Sequence, residues 1–130
     1  MIVDTSAIIA ILRNEPDAAP IGEALQRSSV CRMSAVSYVE AAVVTDSNGN
    51  PVLSRRLDDL LRDVRMKIET VTLKQAQIAR QAYRDFGKGR HQAGLNFGDC
   101  FAYALAKDLD EPLLFKGTDF GRTDVEAVKL

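Results

Sequence analysis

Apolar and polar positions follow two rhythms along this chain, short β-rich runs and longer stretches with helical spacing, and the two alternate. Ile2-Val3 predicts a first strand. A helix follows from about Ser6 to Arg13 and stops short of Pro16, whose ring and missing N–H do not suit a helix interior. A second helix is predicted over roughly Ala18 to Gln26, then a strand around Val30 to Met33. Ser34 can cap a helix running to about Asp46, and Ser47-Asn48-Gly49-Asn50-Pro51 predicts a loop. Helices near Leu53 to Arg65 and Leu73 to Phe86 enclose a strand at Ile68 to Val71. Gly87-Lys88-Gly89-Arg90-His91-Gln92-Ala93-Gly94 is glycine-rich without apolar periodicity, which predicts a mobile, exposed segment. A helix from about Phe97 to Leu109, a strand at Leu113 to Phe115, a turn and a last strand near Val125 to Val128 complete the pattern. This alternation predicts an α/β fold with a central parallel sheet flanked by helices.

At 130 residues, 46% hydrophobic and 27% charged, residues 1–130 are expected to form one compact soluble domain. No stretch approaches the roughly 18 apolar residues of a membrane span, and Met1-Ile2-Val3-Asp4 lacks the basic region and apolar run of a leader, so a cytoplasmic protein is expected. Cys31 and Cys100 stand among apolar neighbours without CxxC or Cys/His spacing, which favours reduced core thiols over a disulfide or zinc site. The net charge of −1 conceals an uneven distribution. Residues 54–67 (Arg55, Arg56, Arg62, Arg65, Lys67) and 80–91 (Arg80, Arg84, Lys88, Arg90) are net basic, and the remainder is correspondingly acidic.

Four acids far apart in sequence are placed where such a fold would gather them. Ligand sites in open α/β sheets form beyond the carboxyl ends of the strands. Asp4 directly follows the first predicted strand, and Asp119 lies in the turn after Leu113-Leu114-Phe115. Asp99 falls in the first turn of a helix, where the macrodipole favours a carboxylate. Glu40 shares a helix with Val36, Val39 and Val43 and is expected on their inward stripe, where an uncompensated carboxylate is costly. Taken singly, each has a plainer reading. Asp4 can cap the helix after it, Asp99 can complete an Asn96-x-x-Asp99 capping arrangement, Asp119 can be a turn residue and Glu40 can pair with a buried arginine. Their joint placement at one edge points to a cluster that would hold divalent metal.

Around these acids the chain resembles the PIN-domain ribonucleases, specifically VapC-type toxins of bacterial toxin–antitoxin pairs. Ile2-Val3-Asp4-Thr5-Ser6-Ala7 resembles the first acidic motif of that family, and Ser37-Tyr38-Val39-Glu40 the second. Gly98-Asp99-Cys100-Phe101-Ala102-Tyr103-Ala104-Leu105-Ala106 resembles the third, and Leu114-Phe115-Lys116-Gly117-Thr118-Asp119-Phe120 the fourth, in the family's order and across essentially the whole chain. The resemblance implies a PIN-like α/β/α sandwich and a metal-dependent endoribonuclease acting on a structured tRNA or rRNA. Magnesium, with manganese as the other candidate, would be held by Asp4 and Asp99 as central ligands. Glu40 would bind metal or orient its water, and Asp119 would support them. Hard cations prefer carboxylate and water oxygens, and two ions about 4 Å apart can stabilise both the attacking and the leaving oxygen of a phosphodiester. Crowded acids resist full ionisation, so activity is expected to fall in mildly acidic buffer. In one respect the chain departs from the family. Many relatives carry a second acidic or amide residue beside the fourth acid, whereas here Gly117-Thr118 precede a single Asp119. Asp124 is the nearby acid that could contribute through water, its other reading being a turn residue at the entry to a strand.

Ser6 resembles the family's hydroxyl beside the cluster, with helix N-terminal structure as its other reading. Lys116 is placed to face substrate phosphate or simply to be solvated. Lys88, Arg90 and His91 are candidates for gripping the RNA backbone, the alternative being a polar loop; His91 is the only histidine, which argues against a histidine-based general base. Few aromatics and no tryptophan argue against an extended base-stacking platform and for recognition by RNA shape and phosphate position. The resemblance also implies a cognate VapB-type antitoxin and a toxin homodimer. Val43, Val44, Leu53, Leu57, Leu60 and Leu61 are candidates for such a partner surface or for ordinary core. Two other classes stay open: a non-catalytic PIN-like scaffold for RNA or protein, and an acyl-phosphate enzyme using Asp4, although the acid expected two residues after such a nucleophile is missing.

Overall fold

In the computed structural model, which describes residues 1–47 and 49–130, four short strands form one wholly parallel sheet. They are β1 (Ile2–Val3), β2 (Arg32–Ser34), β3 (Lys67–Glu69) and β4 (Leu113–Leu114), in the order β3-β2-β1-β4. Ile2 is in register with Arg32 on one side and Leu113 on the other, and Val3 with Leu114. Six helices pack around the sheet: α1 (Thr5–Leu12), α2 (Ala18–Arg27), α3 (Ala35–Asp46), α4 (Pro51–Asp63), α5 (Leu73–Phe86) and α6 (Phe97–Leu109). Successive strand residues point to opposite faces, so Val3 and Leu114 enter one core with Ile8, Ile21, Met33 and Leu57, while Ile2 and Leu113 enter the other with Ala79, Leu95 and Leu105. Helices therefore cover both faces, as the alternating pattern anticipated for a parallel sheet flanked by helices and as the family resemblance implied for an α/β/α sandwich. No helix among the described residues is long and apolar enough to cross a membrane.

Polar residues start the helices. Ser34 accepts the Val36 N–H (3.2 Å), Asn50 accepts the Val52 N–H (3.0 Å) ahead of Pro51, and Thr72 accepts the Gln75 N–H (3.1 Å). β3 ends at Glu69 and does not reach Val71, and Thr72, still extended, caps α5. In the loop expected from Ser47 to Pro51, Asn48 lies outside the described residues. Cys31 and Cys100 are buried free thiols, and burial pushes the Cys100 thiol up to about 11, as suits core sulfur.

Three expectations are corrected. The segment after α5 is partly buried rather than exposed: Ala93 and Leu95 are fully inside, Lys88 N–H donates to Leu95 O and Leu95 N–H to Phe86 O, each at 2.9 Å. Two apolar side chains on either side of Gly94, at φ +64°, fold this stretch into the core. The inward stripe of α3 is Ser37, Ala41 and Thr45, not Val36, Val39 and Val43; Val39 and Val43 are 56% and 59% exposed. Small side chains face inward because α3 packs against α1, α4 and α6 at once, where valines would not fit. The last predicted strand contracts to a single parallel bridge between Leu113 and Ala127, preceded by a 3-10 turn at Phe120–Arg122.

Candidate active site

Asp4 is the first residue beyond the central strand, and its N–H donates to Leu114 O at 2.9 Å, which fixes it against β4. Its side chain, only 2% exposed, uses one oxygen to cap α1: Oδ2 accepts the Ser6 N–H at 2.9 Å. The other oxygen, Oδ1, is buried with no hydrogen-bond partner. Burial raises the pKa of Asp4, the Ser6 hydrogen bonds pull it down, and the charge of Glu40 pushes it up again.

Asp99 occupies the third position of α6 and is half of a reciprocal cap. Its N–H donates to Asn96 Oδ1 at 2.9 Å, and its Oδ2 accepts the Asn96 N–H at 3.0 Å. Its pKa is held up to about 7, chiefly by burial, with the Asn96 hydrogen bond opposing and the charges of Asp4, Glu40 and Asp119 adding. The capping readings of Asp4 and Asp99 thus hold alongside a place in an acidic cleft, since each cap occupies one carboxylate oxygen. Glu40 reaches the same cleft from the flank of α3 over a notch in α6. A Cβ on Gly98 would lie 2.2 Å from Glu40 Oε2 and 2.7 Å from its Cδ, so the glycine makes room for the carboxylate. Glu40 makes no ion pair among the described residues, which removes the buried-arginine reading. Asp119 is exposed at the start of the 3-10 turn and makes no capping bond.

The charges of Asp4, Glu40 and Asp119 all act on Asp99, that of Glu40 also acts on Asp4, and no positive group is among the main influences on Asp4 or Asp99. Among the described residues no three His, Cys, Asp or Glu side chains yet converge into a ready-made ion cage. The donor chemistry nonetheless fits a hard cation: carboxylate oxygens only, one of them buried and unpartnered.

The supporting candidates divide. Ser6 Oγ accepts the Lys116 N–H at 3.0 Å and so ties the start of α1 to the end of β4 beside Asp4. The Lys116 ammonium is engaged by Glu15, which raises its pKa, and is not free for a phosphate. Asp124 is drawn away: Tyr103 donates to it at 2.6 Å and Lys107 at 3.2 Å, lowering its pKa, and it is not among the charges acting on Asp99. His91 serves the turn, with Nδ1 accepting the Ala93 N–H at 3.0 Å and its ring meeting Phe86 edge-on. Lys88 is exposed, and the Arg90 guanidinium sits 5.2 Å over the Tyr83 ring. Sequence reasoning missed Gly98 as the notch under Glu40; its one signal was a glycine immediately before an acid in the first turn of a helix.

Comparison with known proteins sets this geometry in a family. A model of the PIN domain matches residues 1–126. The chain is 58% identical over 127 residues to Ribonuclease VapC28 of Mycobacterium tuberculosis, covering 97% of this chain and 96% of that protein. It belongs to the VapC family of PIN-domain ribonucleases. A further VapC relative is Ribonuclease VapC of Mycolicibacterium smegmatis, 50% identical over 128 residues, with 98% of this chain and 99% of the relative covered. The VapC fold recurs in the crystal structure of the Sarcin-Ricin loop cleaving toxin VapC20 of Mycobacterium tuberculosis, at a TM-score of 0.76 and 16% identity over 99% of this chain and 98% of that one. VapBC2 from Rickettsia felis, bound to a DNA fragment from its promoter, gives a TM-score of 0.76 at 12% identity over 98% and 96% of the two chains. At those identities the likeness is one of fold.

Proposed function

We propose that this VapC-family chain is a divalent-metal-dependent endoribonuclease, with Asp4, Glu40, Asp99 and Asp119 as its catalytic acids and magnesium, or manganese, as its ion. The observation that carries the reading is the unpartnered, buried Oδ1 of Asp4 beside the raised Asp99 and the Glu40 carboxylate. A bound ion would neutralise phosphate charge, lower the pKa of a water and steady the leaving oxygen. Asp4 offers a fixed acceptor, since its other oxygen is locked by the cap. Asp99, its carboxyl held up to about 7 chiefly by burial, would give up its proton on taking part in holding a cation. Glu40, seated over Gly98, is free to orient a water, and exposed Asp119 adds its charge near Asp99.

The names of the relatives support RNA as substrate and the toxin role that goes with it. In this reading the enzyme works in the cytoplasm, forms homodimers and is neutralised by a VapB-type antitoxin. The exposed Val39 and Val43 of α3 offer apolar surface for one of these contacts, whereas Leu57 belongs to the core and Leu53, Leu60 and Leu61 pack against it. The test is cleavage of total bacterial RNA by purified, antitoxin-free protein, with magnesium or manganese against chelator. Asp4→Asn and Asp99→Asn are run alongside because asparagine can keep each cap. Discrete products that need metal and vanish in both variants are expected. Identical patterns from wild type and variants would overturn catalysis and favour the non-catalytic scaffold.

A further inference from the structure

Beside the acidic cleft, α5 and α6 enclose a second feature of opposite character. One face of α5, formed by Ala76, Ala79, Arg80, Tyr83 and Arg84, meets Phe97, Cys100 and Phe101 of α6 across a groove of about 470 Å³ that Arg90 also lines. Its floor is apolar and aromatic. Phe97 is 74% exposed and packs against Phe101 with ring centroids 5.0 Å apart, while Tyr83, 43% exposed, lies under Arg90. The rim is basic. Arg80, Arg84 and Arg90 are exposed, and none makes an ion pair among the described residues; Asp85, the acid on the same helix, accepts from Gln81 instead. The first turn of α6 carries both Phe97 of this groove and Asp99 of the cleft.

Resting on the ribonuclease reading, we infer that the α5–α6 groove is a subsite for an unpaired nucleotide of the RNA, its base stacked on the exposed Phe97 and its phosphates held by Arg80, Arg84 and Arg90. An aromatic face left this exposed is costly in water, and three uncompensated guanidiniums call for anions. A nucleotide satisfies both at once, having a π-face for the floor and phosphates for the rim. The acid cleft repels a polyanion, so a basic surface elsewhere on α6 and α5 is what would hold the strand against the protein. The low aromatic count of the sequence argued against an extended stacking platform; what the fold assembles is a compact one from residues 83, 97 and 101. Cys100, at the groove's floor with a raised thiol pKa, takes no reactive part.

The test is the affinity of two fluorescent probes, an RNA hairpin with an unpaired loop and a blunt RNA duplex of the same stem, measured in chelator so that neither is cut. Wild type is expected to prefer the hairpin. Phe97→Ala should weaken hairpin binding roughly tenfold and leave the duplex unaffected, and Phe97→Trp should restore it. Changing Arg80, Arg84 and Arg90 together to Gln should flatten the dependence of log Kd on log salt by about two, at roughly 0.7 per single-strand phosphate. Equal binding of the hairpin by wild type and Phe97→Ala overturns the inference. So does a Phe97→Ala protein that keeps RNA affinity but loses a co-expressed antitoxin, since the groove would then seat a protein. Metal-dependent cleavage by wild type, run in parallel, separates the two readings. If cleavage is present and Phe97→Ala binds normally, only the groove assignment falls; if wild type neither binds nor cuts RNA, the ribonuclease reading falls and takes the groove with it.

Discussion

Replacing Asp99 with asparagine removes one ionisable proton and keeps the rest of the site, because the amide oxygen can still accept the Asn96 N–H that completes the cap of α6. In the folded, metal-free protein the carboxyl is held up to about 7 against an ordinary 3.8. The unfolded chain ionises this group near 3.8 while the folded one still binds its proton, so Asp99 stabilises the fold less and less as pH rises from about 4, and the loss levels off only above about 7. At about 1.4 kcal/mol per pH unit the full penalty has a ceiling of roughly 4 kcal/mol, which the residue's partial exposure reduces to about 2 kcal/mol. Asp99→Asn is therefore expected to be more stable than wild type by about 2 kcal/mol at pH 8 in chelator, with most of that gain gone at pH 4.5. Urea unfolding followed by far-ultraviolet circular dichroism at pH 4.5, 6, 7 and 8 reads both quantities. Magnesium should then stabilise wild type at pH 8 and do much less for the variant. A variant less stable than wild type at pH 8, or a difference that does not change with pH, would refute the account of Asp99 as a carboxyl strained by burial and neighbouring acids.

Gly98→Ala places a methyl where the Glu40 carboxylate rests, so RNA cleavage should fall roughly 10- to 100-fold, while the melting temperature holds because alanine suits a helix better than glycine; unchanged cleavage would show that Glu40 does not need its notch. Gly87→Ala meets rigid backbone instead, 2.2 Å from Tyr83 O, and should cost about 1–3 kcal/mol by thermal or urea unfolding. Lys116→Gln should leave RNA affinity and its salt dependence unchanged, because the ammonium is already engaged by Glu15; a flatter salt dependence would make Lys116 a phosphate contact after all.

How much of this was readable in the chain depends on what each signal reports. Strand–helix alternation and polar capping residues gave away the sheet, the helix starts and the positions of Asp4 and Asp99, because these follow from backbone hydrogen bonding at the point where an element begins; Asp119 was readable only as a residue of the turn after β4. The inward face of α3 escaped because hydrophobicity was a poor guide where packing rewards small size, and Ser37, Ala41 and Thr45 won over the valines. The stretch from Gly87 to Leu95 misled because glycines report backbone freedom and say nothing of whether Ala93 and Leu95 will be buried. Asp124 was taken by Tyr103 and Lys107, one and two turns further along α6 than Asp99, a competition that no local pattern announces. The arginine-rimmed groove belongs to two helices and a turn, so no single segment carried its signature.

The place of β1 in the middle of the sheet governs when the enzyme can exist at all. Its two residues are the first of the sheet to be synthesised, yet they are closed on one side by β4, and Asp4 is fixed by a hydrogen bond to Leu114. For the proposed site, a ribosome that has produced Asp4, Glu40 and even Asp99 has not yet produced β4, which fixes Asp4, or the turn that carries Asp119. Pairings this distant in sequence form late and slowly. With the site so placed, an unfinished chain lacking β4 is expected to be inactive, and a single cut between β1 and β4 that let them part is expected to silence a finished one.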